Sequence, residues 1–160
     1  MHVQELAPVS VVPSHPRMGS VLVADDDDEL RALYHLSLRH AGYDVVDAVD
    51  GSDALARLVA TPLEFDAAVL DVRMPGVSGL QVLAALQKTT PSVPIILTSA
   101  FADEHLSEDA ARLGAAALLS KPFRLDMLTR AVAYCEEHRR GPNGLVSPPM
   151  FLPVPRRNDS

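Results

Sequence analysis

The strongest constraint on this chain is an alternation. Between residues 20 and 138, short runs of valine, isoleucine, leucine and alanine alternate five times with stretches whose apolar residues recur at helical spacing. SVLVAD at Ser20–Asp25 is short, valine-rich and closed by charge, which predicts a buried strand. From Asp28 to Ala41, Leu30, Leu33, Tyr34 and Ala41 fall on one helical face, and Gly42 stops the helix. The same pattern predicts strands at Tyr43–Val49, Ala67–Asp71, Pro94–Ser99 and Ala116–Ser120. It predicts helices at Ser52–Thr61, Gly79–Thr89, Glu104–Leu113 and Leu125–His138. Strands this apolar, separated by helices, belong to a parallel sheet covered on both faces.

Right-handed crossovers then favour an α/β, doubly wound, five-stranded parallel sheet. The flavodoxin-like strand order 2-1-3-4-5 is one of its common solutions. Prolines mark the limits of this domain: eight of 13 lie before residue 18 or after residue 141. The expected organisation is a disordered tail over 1–18, a folded domain over 19–138 and a proline-rich tail over 139–160. Composition narrows the function. With 14 Lys+Arg against 21 Asp+Glu, the net charge is −7, which argues against nucleic acid as a direct partner. A single cysteine, Cys135, cannot form an internal disulfide. No apolar run approaches the ~20 residues of a membrane span, and the start of the chain lacks a signal-peptide pattern. The expectation is a small acidic intracellular domain with no membrane partner.

In open α/β sheets, ligands bind at the carboxyl ends of the strands. Those ends carry Asp25 and Asp26, then Asp71, Ser99 and Lys121. Strand order 2-1-3-4-5 sets the first and third strands side by side and gathers Asp25, Asp26 and Asp71. Two carboxylates ~4 Å apart repel by roughly 4 kcal/mol at an effective dielectric of ~20. Such a cluster stays ionised only with a cation among it. Oxygen ligands on a shallow, hydrated site suit Mg²⁺ (or Mn²⁺). Each residue also has a plainer explanation. Asp25–Asp28 could be a solvated helix cap, Asp71 a turn residue, and Lys121-Pro122 a turn. It is the coincidence at four strand ends that points to a site.

These segments, VLVADDDDELR, LDVRMPGVSG, IILTSA and LLSKPF in that order, resemble the phosphoacceptor receiver domain of bacterial two-component response regulators. The resemblance covers about residues 20–138. It implies that Asp71 accepts a phosphoryl group from a sensor histidine kinase or phosphotransfer protein. It implies metal ligation by Asp26 directly, by Asp25 through water, by Asp71 and by the Arg73 backbone carbonyl. Lys121, Ser99 and the Ala100 backbone would contact the phosphoryl group, and the Lys121-Pro122 peptide would be cis. Pro75, Gly76 and Gly79 would shape the loop after Asp71. The output would be a changed helix 4–strand 5–helix 5 surface that binds a downstream protein, relays the phosphoryl group or forms a phosphorylation-linked homodimer. Such a protein is a cytoplasmic bacterial signalling module that assists its own phosphorylation and dephosphorylation, not an enzyme. One departure stands out: the switch position three residues before Lys121, usually aromatic in the family, is Leu118. Arg73 and Phe101, two residues after Asp71 and Ser99, would flank the phosphoryl group and set its hydrolysis through water access.

Competing readings follow from the same residues. About twenty residues after 138 leave no room for an output domain, which predicts a single-domain regulator. The alternatives are a phosphorylation-independent pseudo-receiver adaptor and a receiver fragment of a longer regulator. A haloacid-dehalogenase-type phosphatase would need an acid where Arg73 stands. His35, His40, His105 and His138 lack zinc-ligand spacing, and Cys135 reads as a core residue. Arg139-Arg140 read as a helix C-terminal charge, and Arg156-Arg157 as a solvated pair.

Overall fold

The computed structural model describes residues 18–61, 64–89, 93–139 and 150–151. In chain order the elements are β1 (Ser20–Ala24), α1 (Asp28–His40), β2 (Asp44–Ala48), α2 (Gly51–Ala60), β3 (Ala67–Asp71) and α3 (Gly79–Leu86). They continue with β4 (Ile95–Ser99), α4 (Glu104–Arg112), β5 (Ala117–Ser120), α5 (Leu125–Arg139) and β6 (Met150–Phe151). All strands are parallel, in the order β2-β1-β3-β4-β5-β6. The expected 2-1-3-4-5 sheet is therefore present, extended by one short strand.

That sixth strand lies within the stretch 139–160 expected as a proline-rich tail. Met150 and Phe151 pair with Ala117 and Leu118 on the outer edge of β5. An edge strand presents unpaired backbone groups that a passing segment can satisfy. Two residues carry no periodicity by which a sequence could announce them. The rest of that tail, with Arg140, Arg156 and Arg157, lies outside the described residues, as does 1–17. Arg139 closes α5, one residue beyond the expected boundary. Helix α3 stops at Leu86 rather than Thr89. The Thr89 amide and hydroxyl both donate to the Leu86 carbonyl, closing the last turn before a Thr-Thr-Pro sequence that disfavours helix.

Alternation along the strands divides the core into two layers. Leu22, Ala24, Ala68, Leu70, Ile95, Leu97 and Leu118 face α2, α3 and α4, packing with Ala54, Leu58, Val82, Leu86 and Ala110. Val21, Val23, Ala67, Val69, Ile96, Ala117 and Leu119 face α1 and α5, packing with Tyr34, Leu38, Leu128, Val132 and Cys135. Fully buried side chains such as Leu22, Leu70, Ile96 and Leu97 each contribute roughly 1.5–3 kcal/mol of burial. Continuing the second parity past the last core residues leads to Asp25, Asp71 and Lys121. The charged groups thus stand on the α1/α5 face at the carboxyl end of the sheet.

Candidate functional site

The turn from β1 into α1 is held by its own side chains. Asp27 caps α1, accepting from the amides of Glu29 and Leu30. Asp25 Oδ1 accepts from the Asp27 amide at 2.9 Å. The Arg31 guanidinium reaches back one turn, donating to the Asp25 carbonyl at 2.7 Å and to Asp28 Oδ1 at 2.6 Å. These bonds bury Asp25 and leave Asp26 exposed. Among the described residues, the Asp26 carboxylate has no hydrogen-bond or ion-pair partner. The four-Asp run therefore divides its labour: Asp27 and Asp28 serve the helix, while Asp25 and Asp26 turn to the sheet end.

Asp71 closes β3 and is buried. The ladder continues one residue further, with the Val72 amide donating to the Thr98 carbonyl at 2.9 Å. Glycine is required where α3 begins: a Cβ on Gly79 would stand 2.5 Å from the Asp71 carbonyl oxygen. Gly76, at φ +79°, turns the intervening loop in a conformation that favours glycine. A reciprocal Ser78–Gln81 cap then fixes the first turn of α3. Asp71 is thus held from behind by backbone, with its carboxylate directed over the α1/α5 layer.

Lys121, after β5, spans the site. Its ammonium donates to Asp25 Oδ2 at 2.9 Å and to Asp71 Oδ2 at 3.1 Å. The Lys121–Pro122 peptide that launches it is cis. Carboxylate oxygens of Asp25, Asp26 and Asp71 lie within 4.8 Å of one another, the one cluster of potential metal-ligating side chains among the described residues. Ionised carboxylates this close need a cation among them, and Lys121 already supplies one. Burial, followed by the Asp25 charge, raises the Asp71 pKa above its ordinary value, with Lys121 opposing. Burial pulls the Lys121 ammonium down, but its hydrogen bonds and charge contacts with Asp25 and Asp71 outweigh that, and the net shift is upward. An all-oxygen donor set with an exposed, unpartnered Asp26 matches what Mg²⁺ prefers: one or two carboxylates and several waters.

The other expected residues surround this centre. The Arg73 amide donates to Asp71 Oδ1 at 3.2 Å. Ser99 is buried, and its hydroxyl accepts from the Phe101 amide at 3.1 Å, so it is engaged by its own loop. Ala100 follows it, exposed. The Arg73 guanidinium lies 4.8 Å from the Phe101 ring centroid, joining the β3–α3 and β4–α4 loops by a cation–π contact. Leu118 is buried among the side chains facing α2–α4. Two residues of the site were missed in the sequence. Arg31, which clamps the Asp25 loop, was signalled by its Asp28 partner three residues before. Tyr34 stacks on Phe123 with centroids 5.4 Å apart. Burial pushes its hydroxyl up to about 12, with the charges of Lys121, Asp25 and Asp71 acting on it. Cys135 is pushed up to about 12 by burial and stays a thiol. His35 pairs with Asp47, and the His138 ring lies against Tyr134, neither near the site.

Comparison with known proteins decides what this arrangement belongs to. The family model described as the response regulator receiver domain matches residues 21–133. The chain belongs to that family. Its receiver fold is similar to the signal receiver domain of the response regulator NarL from Mycobacterium tuberculosis, with a TM-score of 0.72 and 32% identity over 78% of this chain and all of that one. A Francisella response regulator receiver domain matches with a TM-score of 0.71 and 30% identity, covering 76% of this chain and 99% of the other. Among curated proteins, the receiver is 32% identical to the DNA-binding transcriptional regulator NtrC of Salmonella typhimurium, over 82% of this chain and 28% of NtrC. It is 36% identical to the transcriptional regulatory protein FixJ of Bradyrhizobium diazoefficiens, over 71% of this chain and 55% of FixJ. The chain thus spans about a quarter to about half of these relatives' lengths. No described helix is long and apolar enough to cross a membrane.

Proposed function

We propose that this receiver is a phosphoacceptor switch in which Asp71 takes a phosphoryl group from the phosphohistidine of a sensor kinase or phosphotransfer protein. The observation that carries the reading is the convergence of Asp25, Asp26, Asp71 and Lys121 from three separate strand ends. A carboxylate oxygen of Asp71 attacks phosphorus, the nitrogen–phosphorus bond breaks, and its electron pair stays on the imidazole, which is protonated as it leaves. The product is an acyl phosphate on Asp71. Only ionised Asp71 can attack, and Lys121 opposes the burial that favours its neutral form. Asp26, Asp71 and the Arg73 carbonyl would hold Mg²⁺, or Mn²⁺, with Asp25 bound through water. The metal would offset the repulsion between nucleophile and phosphoryl oxygens.

The switch follows from contacts now engaged elsewhere. Lys121 would exchange an Asp71 oxygen for a phosphoryl oxygen. Ser99 would release the Phe101 amide for another, joined by the Ala100 backbone. Moving that loop alters the α4–β5–α5 surface, the face we assign to a downstream partner or a second copy of the chain. Leu118, fixed in the apolar layer, does this without an aromatic rotor. The setting is the bacterial cytoplasm. A second reading is favoured by the greater length of the relatives: the same switch could act within a longer regulator, its output carried by another domain.

Intact-mass measurement with acetyl phosphate tests both the residue and the metal. The expected result is one added phosphoryl group, dependent on Mg²⁺ and absent in Asp71→Asn. A protein that gains no phosphoryl group under any condition would be a phosphorylation-independent adaptor instead.

A further inference from the structure

One buried polar group beside the site has no partner. Thr98 on β4 is 1% exposed, and among the buried side-chain atoms of the described residues its hydroxyl is the one without a hydrogen bond. Buried hydroxyls are nearly always paired, so an exception calls for a reason. Its position supplies one. Thr98 lies opposite Asp71 on one side and Leu119 on the other. It shares the parity of Ile96, so it faces the α1/α5 layer together with Asp71 and Lys121. Lys121 starts beyond β5, yet its ammonium ends on Asp71 of β3 and Asp25 after β1. Its side chain must therefore cross the end of β4, on the face where Thr98 stands.

We infer that Thr98 is a positioning residue for Lys121, its hydroxyl accepting a hydrogen bond from the ammonium once Asp71 is loaded. In the resting protein, Asp25 and Asp71 draw the ammonium past β4. Conversion of Asp71 to an acyl phosphate removes the negative charge from that carboxylate and places new acceptors on the phosphoryl group. Lys121 then exchanges its Asp71 oxygen for a phosphoryl oxygen while keeping Asp25, and in this shifted position its third N–H turns to Thr98. An unpaired buried hydroxyl in the resting form that is paired in the loaded form favours loading. Unmade buried hydrogen bonds shift equilibria by roughly five- to hundredfold, so the effect is measurable. The inference rests on the phosphoacceptor reading but concerns a residue outside its expected set.

The test uses the whole chain with Mg²⁺ and beryllofluoride, a phosphoryl analogue, and compares wild type, Thr98→Val and Thr98→Ser. Thr98→Val keeps the shape and deletes the hydroxyl. Without the analogue it should melt at or above the wild-type temperature. With the analogue it should bind at least about fivefold more weakly. Thr98→Ser, which restores the hydroxyl, should bind within about twofold of wild type. Unchanged affinity in Thr98→Val, equal weakening in both variants, or a resting Thr98→Val that melts lower or fails to fold would each overturn the inference. If wild type itself does not bind the analogue, the phosphoacceptor reading fails instead.

Discussion

The two faces of the sheet use the same strands for different ends. Toward α2, α3 and α4 the side chains are apolar nearly to the tips of the strands, from Leu22 through Leu70 and Leu97 to Leu118. Toward α1 and α5 the apolar layer gives way at the carboxyl end to Asp25, Asp71, Thr98 and Lys121. One residue of register decides which face a side chain joins. The apolar face supplies stability; the other spends some of it to keep two buried carboxylates together on one ammonium. The contrast predicts that damage to the two faces will separate stability from metal and phosphoryl chemistry.

The largest expected effect is on the apolar face. Leu97→Ala should lose about 2–5 kcal/mol in urea unfolding while the folded fraction binds Mg²⁺ as before. If Mg²⁺ affinity falls in step, the faces are not separable. Lys121→Met leaves Asp25 and Asp71 without their shared cation and should cost about 2–3 kcal/mol near neutral pH, below the usual range for a fully buried pair because Asp71 can take up a proton. Most of that loss should return on acidification or on addition of Mg²⁺. A loss that ignores both pH and metal would mean that Lys121 acts through packing.

A smaller effect concerns pH. The folded-state pKa of Asp71 is raised by burial and by Asp25. Its contribution to stability is therefore fully present below the ordinary aspartate value of about 3.9 and is lost as pH rises through the raised folded value. Without metal, Asp71→Asn should flatten this decline and melt higher than wild type at pH 7. Mg²⁺ should reverse the order, since it binds the ionised form. An Asp71→Asn protein that keeps the full wild-type slope would place the titration elsewhere. The smallest effect belongs to the Arg73–Phe101 contact, which is exposed and worth roughly 0.5–1 kcal/mol. Phe101→Ala should barely change melting but should shorten the lifetime of the phosphorylated form by admitting water; an unchanged decay rate would remove this pair from the account.

Much of this was legible because buried strands announce themselves. VLVA, AAVL and IILTS place β1, β3 and β4 within a residue of their ends, and the residues after them name the site. What failed to read was set by contacts distant in sequence. The length of α3 depended on how Thr89 closes its last turn. Met150–Phe151 became a strand only because β5 offered it an edge. The carboxylates announced their need for a cation, yet Lys121 as the resting cation depends on a side chain crossing two strands. Thr98 was within reach of simple alternation, which puts it on the face of Asp71.

The central claim is that Asp71, and not its neighbours, carries the phosphoryl group. Borohydride reduces an aspartyl phosphate to homoserine, so treating the phosphorylated protein and mapping its peptides by mass locates the modified residue directly. The account predicts homoserine at position 71, formed only when Mg²⁺ was present during phosphorylation. Homoserine at 25 or 26, or a phosphorylated protein with no reducible aspartate, would contradict it.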